Sequence, residues 1–125
     1  MSKENDFEKN YEVCNHFHGT SEVYIEYLKE KVLEVAGLSE IFKILGDETR
    51  TKILYILAQQ PLCVCEIATI MGMTLPAISH HLRLLKALRL VKNNRNGKLV
   101  YYALDDQHIL NLIREAQAHF MEDRK

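Results

Sequence analysis

The chain has 125 residues, a length that suits one domain with a hydrophobic core of its own. With 47% hydrophobic and 26% charged residues, its composition is that of an ordinary globular protein. No apolar run is long enough to span a bilayer, and the charged N-terminus lacks the apolar core of a signal peptide. We therefore expect a cytoplasmic protein with no membrane partner.

The net charge of −1 does not by itself suggest a nucleic-acid partner, but the charge is unevenly distributed. Between Ile67 and Leu104 there is no Asp or Glu. Six basic residues lie in that stretch: Arg83, Lys86, Arg89, Lys92, Arg95 and Lys98. A basic block in an otherwise acidic chain indicates a local polyanion site, and a solvated basic face is the alternative.

Residues 1–19 are polar and aperiodic, which predicts a mobile arm ahead of a folded domain at 20–125. The arm ends with three soft-to-borderline metal ligands, Cys14, His16 and His18. Three such ligands within five residues suggest part of a metal site that is completed elsewhere in the chain.

Three helices are predicted next from apolar periodicity and end signals. The first is capped by Thr20 or Ser21 and ends at Gly37. The second is short and stops at Gly46, and Asp47 caps the third. Their apolar stripes are Tyr24, Tyr27, Leu28, Val32 and Val35, then Leu38, Ile41, Phe42 and Leu45, then Ile53, Leu54, Ile56 and Leu57.

The stretch from Cys65 to Lys86 is typical of a helix-turn-helix. Cys65 to Met71 predicts a short helix, Gly72 supplies the turn, and Thr74 caps the following helix. That second helix should bury Ile78, Leu82, Leu85 and Leu88. Its opposite side should read double-stranded DNA, with contacts from Thr74, Ser79, His80, His81, Arg83 and Lys86.

A hairpin follows, with predicted strands at Leu90–Asn93 and Leu99–Leu104 and an Asn96-Gly97 turn signal. Arg95 and Lys98 lie near its tip. A basic hairpin after a reading helix is a wing, whose tip can reach the flanking DNA. The chain is therefore predicted to be mainly α-helical, with a winged helix-turn-helix.

The last predicted helix begins near Asp105 or Asp106 and runs to about Glu122. Its apolar residues are Ile109, Leu112, Ile113, Ala116, Ala118 and Phe120. We expect this helix to pack against its copy in a homodimer, since no second domain is present to cover it.

This helix also carries four candidate metal ligands: Asp106, His108, His119 and Glu122. His108 and His119 are about three turns apart, or roughly 16 Å, so one chain cannot bring all four ligands to one ion. In two antiparallel copies, Asp106 and His108 of one helix would meet His119 and Glu122 of the other, in a set that suits Zn(II). Four independent solvated side chains are the alternative.

Cys63 and Cys65 form a C-x-C pair directly before the helix-turn-helix. Two thiolates bind a metal weakly alone, so the arm with Cys14, His16 and His18 is expected to complete the set. Such ligands favour Cd(II), Pb(II), Zn(II) or Cu(I). The alternative is a pair of buried structural thiols, although Val64 suits a core position better than either cysteine.

At this point the chain resembles the ArsR/SmtB family of metal-sensing repressors, and within it the CadC/SmtB group. The resemblance covers roughly residues 35 to 125. It is carried by Leu62-Cys63-Val64-Cys65-Glu66, Ser79-His80-His81-Leu82-Arg83, Gly97-Lys98 with Tyr101-Tyr102, and Asp106-x-His108 with His119-x-x-Glu122.

The resemblance implies a homodimer that binds operator DNA without metal and releases it with metal, so that export or sequestration genes are transcribed. It also implies two metal sites, one around Cys63, Cys65 and Cys14 and one between terminal helices. The arm has one cysteine where the cadmium and lead sensors have two, which shifts the expectation towards zinc, with or without cadmium. A repressor switched by thiol oxidation is the alternative function. An enzyme such as a small zinc hydrolase is not expected, because no cleft is evident.

Overall fold

The computed structural model describes residues 19–122. Cys14, His16 and His18 of the predicted arm lie outside the described residues. The chain divides into two compact units, one ending at Ser39 and the other beginning at Glu40. No helix within 19–122 is both long enough and apolar enough to cross a membrane.

The first unit contains helix α1, Glu22–Lys31, which continues into a 3₁₀ turn at Val32–Val35. Ser21 caps α1, because its hydroxyl oxygen accepts a hydrogen bond from the Tyr24 backbone N–H at 3.2 Å. Gly37 follows with a φ of +90°, a conformation that favours glycine. The predicted apolar stripe of this helix is present but exposed.

The second unit is mainly helical, as predicted, and includes one small sheet. Its elements are α2 (Ser39–Leu45), α3 (Glu48–Leu57), β1 (Leu62–Cys63), α4 (Val64–Met71), α5 (Leu75–Ala87), β2 (Val91–Asn96), β3 (Leu99–Leu104) and α6 (Gln107–Glu122).

Helices α4 and α5 form the helix-turn-helix. Gly72 takes a φ of +66° between them, and the Met73 backbone N–H reaches back to the Ala68 carbonyl at 3.0 Å. This bond and that from Gly72 to Thr69 make a Schellman motif that ends α4. Thr74 then begins α5 by accepting a hydrogen bond from the Ala77 N–H at 3.3 Å. The predicted turn and cap are both confirmed.

The sheet has three antiparallel strands in the order β1-β3-β2. Strands β2 and β3 are the predicted hairpin, but β2 extends to Asn96 and the turn residues are Gly97 and Lys98. Gly97 has a φ of +67°, as the first central residue of a tight two-residue turn requires. Strand β1 was not predicted, and its Cys63 pairs with Tyr101.

The core of the second unit lies between α3, α4, α5 and the sheet. Its fully buried side chains are Ile53, Leu54, Ile67, Ile78, Leu82, Leu85, Leu90 and Val91. Ile56 and Leu88, which were expected in the core, are half-buried. On α6 only Ile113 is buried, whereas Leu112 and Phe120 are exposed. The predicted stripe of α6 therefore lies largely on the surface of the single chain.

Candidate DNA-binding face and metal-ligand residues

Several of the residues predicted to contact DNA lie on the exposed side of helix α5 or at its cap. Thr74, His80, Arg83 and Lys86 are exposed. Their hydroxyl, imidazole, guanidinium and ammonium groups are donors that suit base edges and phosphates. The opposite side of the helix is anchored in the core by Ile78, Leu82 and Leu85.

Ser79 and His81 differ from this expectation, since both are half-buried. The His81 Nδ1 atom lies 3.4 Å from the Arg50 guanidinium nitrogen Nη1, on helix α3. The His80 ring lies edge-on to the His81 ring, with centroids 5.8 Å apart. His81 therefore faces the rest of the unit as well as the groove side of α5, and its contact with DNA remains a prediction.

The end of α5 brings one more basic residue into position. Leu90 N–H donates to the Leu85 carbonyl and Arg89 N–H to the Lys86 carbonyl, both at 2.9 Å, in a second Schellman motif. Arg89 occupies the left-handed position of this motif, with a φ of +57°, where glycine is usual. Its side chain is exposed beside the reading helix. Arg89 belongs to the basic block but was not predicted as a DNA contact, because a non-glycine residue gives no sequence signal for the left-handed turn that presents it.

The wing carries the remaining two predicted DNA contacts. Arg95, near the end of β2, and Lys98, in the turn, are both exposed. Exposed cations at a hairpin tip are suited to phosphate contact, which contributes affinity rather than sequence preference.

The two cysteines begin helix α4 but have different surroundings. Cys63 is 6% exposed and caps the helix, while Cys65 is exposed in the first turn. Cys63 and Glu66 form a capping box, in which the Cys63 backbone N–H donates to the Glu66 carboxylate Oε1 at 2.9 Å. Val64 is only half-buried, so the expectation that it would occupy the core rather than a cysteine was wrong. Cys63 lies in β1, which pairs with β3, and both residues of this strand are buried.

At the start of the terminal helix, two of its four predicted metal ligands lie close to each other. The Asp106 Oδ2 and His108 Nδ1 atoms lie 3.4 Å apart, and His108 is 91% exposed at its side chain. Asp106 Oδ1 also caps α6 by accepting the Ile109 N–H at 3.2 Å. This backbone hydrogen bond, followed by the interaction with His108, holds the pKa of the Asp106 carboxyl below its usual value of 3.8. The carboxylate therefore stays ionised at neutral pH.

His119 and Glu122 are exposed near the other end of α6. Within the described part of the chain, no group of three or more His, Cys, Asp or Glu side chains is arranged to hold a metal ion. Each end of α6 in a single subunit thus offers two ligands, fewer than the four that a tetrahedral zinc site requires.

A family model described as bacterial regulatory protein, arsR family, matches residues 47–93, from the cap of α3 to β2. A cadmium resistance transcriptional regulatory protein CadC homolog from Staphylococcus aureus is 45% identical over 95 residues, which cover 75% of this chain and 76% of the relative. This chain belongs to the bacterial ArsR family of regulatory proteins. A transcriptional repressor SmtB homolog from Synechocystis is 41% identical over 106 residues, or 80% of each chain.

Solved structures of transcriptional regulators share this fold. A homodimeric winged helix-turn-helix DNA-binding domain from Mycobacterium bovis, a possible ArsR-family regulator, has a TM-score of 0.67 and 28% identity, over 87% of this chain and 94% of that one. The transcriptional regulator HlyU from Vibrio vulnificus has a TM-score of 0.68 and 26% identity, over 75% and 98%. The predicted winged helix-turn-helix is confirmed, and the chain is a transcriptional regulator of the ArsR family and not an enzyme.

Proposed function

We propose that this ArsR-family chain is a metal-responsive repressor whose homodimer binds operator DNA and releases it when Zn(II), Cd(II) or Pb(II) binds. Release would permit transcription of genes for metal export or sequestration. The observation that carries this proposal is the position of Cys63 and Cys65 in the first turn region of α4, the first helix of the DNA-reading pair. Relatives named as a cadmium resistance regulator and as an SmtB repressor support a metal effector.

The DNA-binding half of the proposal assigns separate roles to α5 and the wing. Thr74, Ser79, His80, His81 and Arg83 would lie along the major groove, where α5 fits as a recognition helix. Lys86 and the wing residues Arg95 and Lys98 would bind phosphates, with Arg89 added by its position in the structure. The absence of acidic side chains from Ile67 to Leu104 supports this surface, since no carboxylate there would repel the DNA backbone.

The first proposed metal site has Cys63 and Cys65 as ligands, with Cys14 and His16 or His18 from the N-terminal arm. Thiolates suit soft and borderline ions such as Cd(II), Pb(II) and Zn(II). Of these ligands, Cys63 is the one whose backbone is tied to neighbouring elements. It pairs with β3, and its N–H donates to the Glu66 carboxylate in the capping box. A ligand set closed around Cys63 would therefore bias the position of α4 against the wing.

The second proposed site has Asp106 and His108 of one subunit and His119 and Glu122 of the other. Two features support it: Asp106 and His108 are already side by side, and the carboxylate stays ionised. The exposed apolar side chains of α6, among them Leu112, Phe120 and Met121, favour packing of this helix against a second copy. Two-fold symmetry would create two such sites in each dimer.

The test is a fluorescence-anisotropy titration of the metal-free protein with double-stranded DNA from upstream of its own gene. Operator affinity should fall by about 5- to 150-fold on addition of one of the three metals, which corresponds to a coupling free energy of about 1–3 kcal/mol. A chelator should restore the binding. Affinity that is unchanged by Zn(II), Cd(II) and Pb(II) but lost after peroxide treatment would contradict the proposal and favour a thiol-redox repressor.

A further inference from the structure

Arg50, on α3, makes a polar connection to the recognition helix that the proposed DNA contacts do not include. Its side chain is only 15% exposed, which is unusual for arginine. The Nε–H group donates to the Ile44 backbone carbonyl at 2.9 Å, which fixes the guanidinium against the end of α2. From there Nη1 reaches the His81 Nδ1 atom at 3.4 Å, across 31 positions of sequence.

The chemistry of this contact determines the state of the His81 ring. A guanidinium group has donors only and stays protonated in proteins. The guanidinium can only donate in this contact, so His81 Nδ1 accepts and the tautomer that fits has its ring proton on Nε2. Protonation of His81 would turn the acceptor into a donor and would place two positive groups against each other.

Among residues 19–122, the charged and titratable groups next to His81 are Arg50 and His80, and Asp47 lies beside Arg50. The Asp47 carboxylate caps α3 through the Arg50 backbone N–H at 3.0 Å and lies 4.0 Å from Arg50 Nη1. That backbone hydrogen bond is the main cause of the lowered pKa of Asp47, with a smaller effect of the nearby Arg50 guanidinium. The Asp47 carboxylate thus lies next to the Arg50 guanidinium. His80, on the same helix as His81, places its ring edge-on to the His81 ring.

The geometry points to the Arg50–His81 contact as a link that sets the orientation of the recognition helix. Arg50 is then a positioning residue for operator binding, and protonation of His81 breaks the link. The inference rests on the operator binding proposed above. Ile78, Leu82 and Leu85 hold α5 in the core through apolar contacts, which are not directional. A hydrogen bond from a fixed guanidinium is directional and restricts rotation of the helix.

The experiment measures affinity of the metal-free protein for operator DNA between about pH 5.5 and 8, the range in which histidine side chains commonly change charge. His81→Gln offers an acceptor that does not titrate. Relative to wild type, and whatever the two affinities are at pH 8, His81→Gln should gain about tenfold in affinity between pH 8 and pH 5.5, since one hydrogen bond to a charged group has about that effect. His80→Gln, the same change at the exposed neighbouring position, should show no such gain at low pH.

Arg50→Met retains most of the apolar stem without the donors and should weaken operator binding about tenfold at pH 8. Arg50→Lys should restore only part of the affinity, because an ammonium cannot reach Ile44 and His81 in the same fork. Wild-type affinity for Arg50→Met, or a His81→Gln affinity that parallels wild type at every pH, would overturn the inference. A thermal unfolding midpoint is recorded for each variant, and the His81→Gln profile decides the matter if Arg50→Met does not fold.

A measurement without DNA separates this inference from the proposed function. In ¹⁵N NMR spectra of the free protein, His81 should be the Nε2–H tautomer at neutral pH. Detection of the Nδ1–H tautomer would contradict the proposed hydrogen bond from Arg50 to His81, even if the protein binds operator DNA. Conversely, a wild-type protein that binds no DNA but shows the expected tautomer contradicts the proposed function and leaves the Arg50–His81 contact established.

Discussion

The two sets of candidate metal ligands lie in differently built parts of the second unit. At the start of α4, Cys63 is buried, caps a helix and pairs with a strand. On α6, His108, His119 and Glu122 are exposed on the surface of the helix. A ligand that is part of the fold cannot shift without moving its neighbours, whereas a surface ligand can bind an ion with little effect elsewhere. The comparison favours the cysteine end for transmission to DNA and the α6 end for joining two subunits.

The largest effect is expected from Cys65→Ser, which removes an exposed thiol without a large change in shape. Metal-dependent release should disappear, so the roughly 5- to 150-fold loss of operator affinity would no longer occur. His119→Ala should keep the response. Anisotropy titrations of both variants with Zn(II) and Cd(II) measure this, and a response lost in His119→Ala but kept in Cys65→Ser would reverse the comparison.

The next effect concerns the α6 ligands alone, in a protein that lacks Cys63 and Cys65. In the double serine background, His119→Ala should weaken zinc binding by at least about tenfold, since loss of a supporting outer group alone can have that effect. Competition with a chromophoric chelator gives the affinity. His80→Ala, which also removes an exposed histidine, is the matched control and should bind zinc as the background does. Equal affinities in the two variants would show that α6 holds no zinc.

A smaller effect tests how firmly the cysteine end is built into the fold. Glu66→Ala removes one half of the capping box on α4 and should lower the free energy of unfolding by about 0.3–1.5 kcal/mol. Urea denaturation measures the change. Glu115→Ala, at an exposed position within α6, should have a smaller effect. If both variants are equally stable, the capping box does not support Cys63.

The smallest effect is the pH dependence of the cap on α6. The folded-state pKa of Asp106 is lowered from 3.8, so the cap stabilises the folded protein above that value and the contribution is lost as pH falls through the lowered pKa. Asp106→Asn should therefore unfold at a lower temperature than wild type at pH 6, and the gap should narrow as the pH falls below 3.8. Circular dichroism melts at several pH values follow the gap, which should not widen with acid.

Local signals were sufficient for most of the helical fold. Ser21, Asp47, Thr74 and Gly72 each determine a helix end through groups within five residues, so the sequence alone predicts those ends. Strand β1 was missed because two residues carry no period, and the strand exists only through its pairing with Tyr101 and Tyr102. The same long-range pairing explains why Cys63, rather than Val64, is buried.

The candidate site shows the same limit. The exposed face of α5 follows from helical periodicity, and Thr74, His80, Arg83 and Lys86 were predicted on it. The contact between His81 and Arg50 depends on the packing of α3 against α5, which no local pattern encodes. The exposure of Leu112 on α6 likewise follows from tertiary packing, since periodicity predicts a stripe but not what covers it.

The pairing of Cys63 with Tyr101 joins the cysteine segment and the wing in one sheet. Tyr101 also pairs with Asn94, so Cys63 is separated from β2 by two strand spacings, or about 10 Å. The strands cannot slip by one residue without turning Tyr101 and Tyr102 to the opposite face. We therefore expect a displacement of the Cys63 backbone to be passed through β3 to the hairpin that carries Arg95 and Lys98.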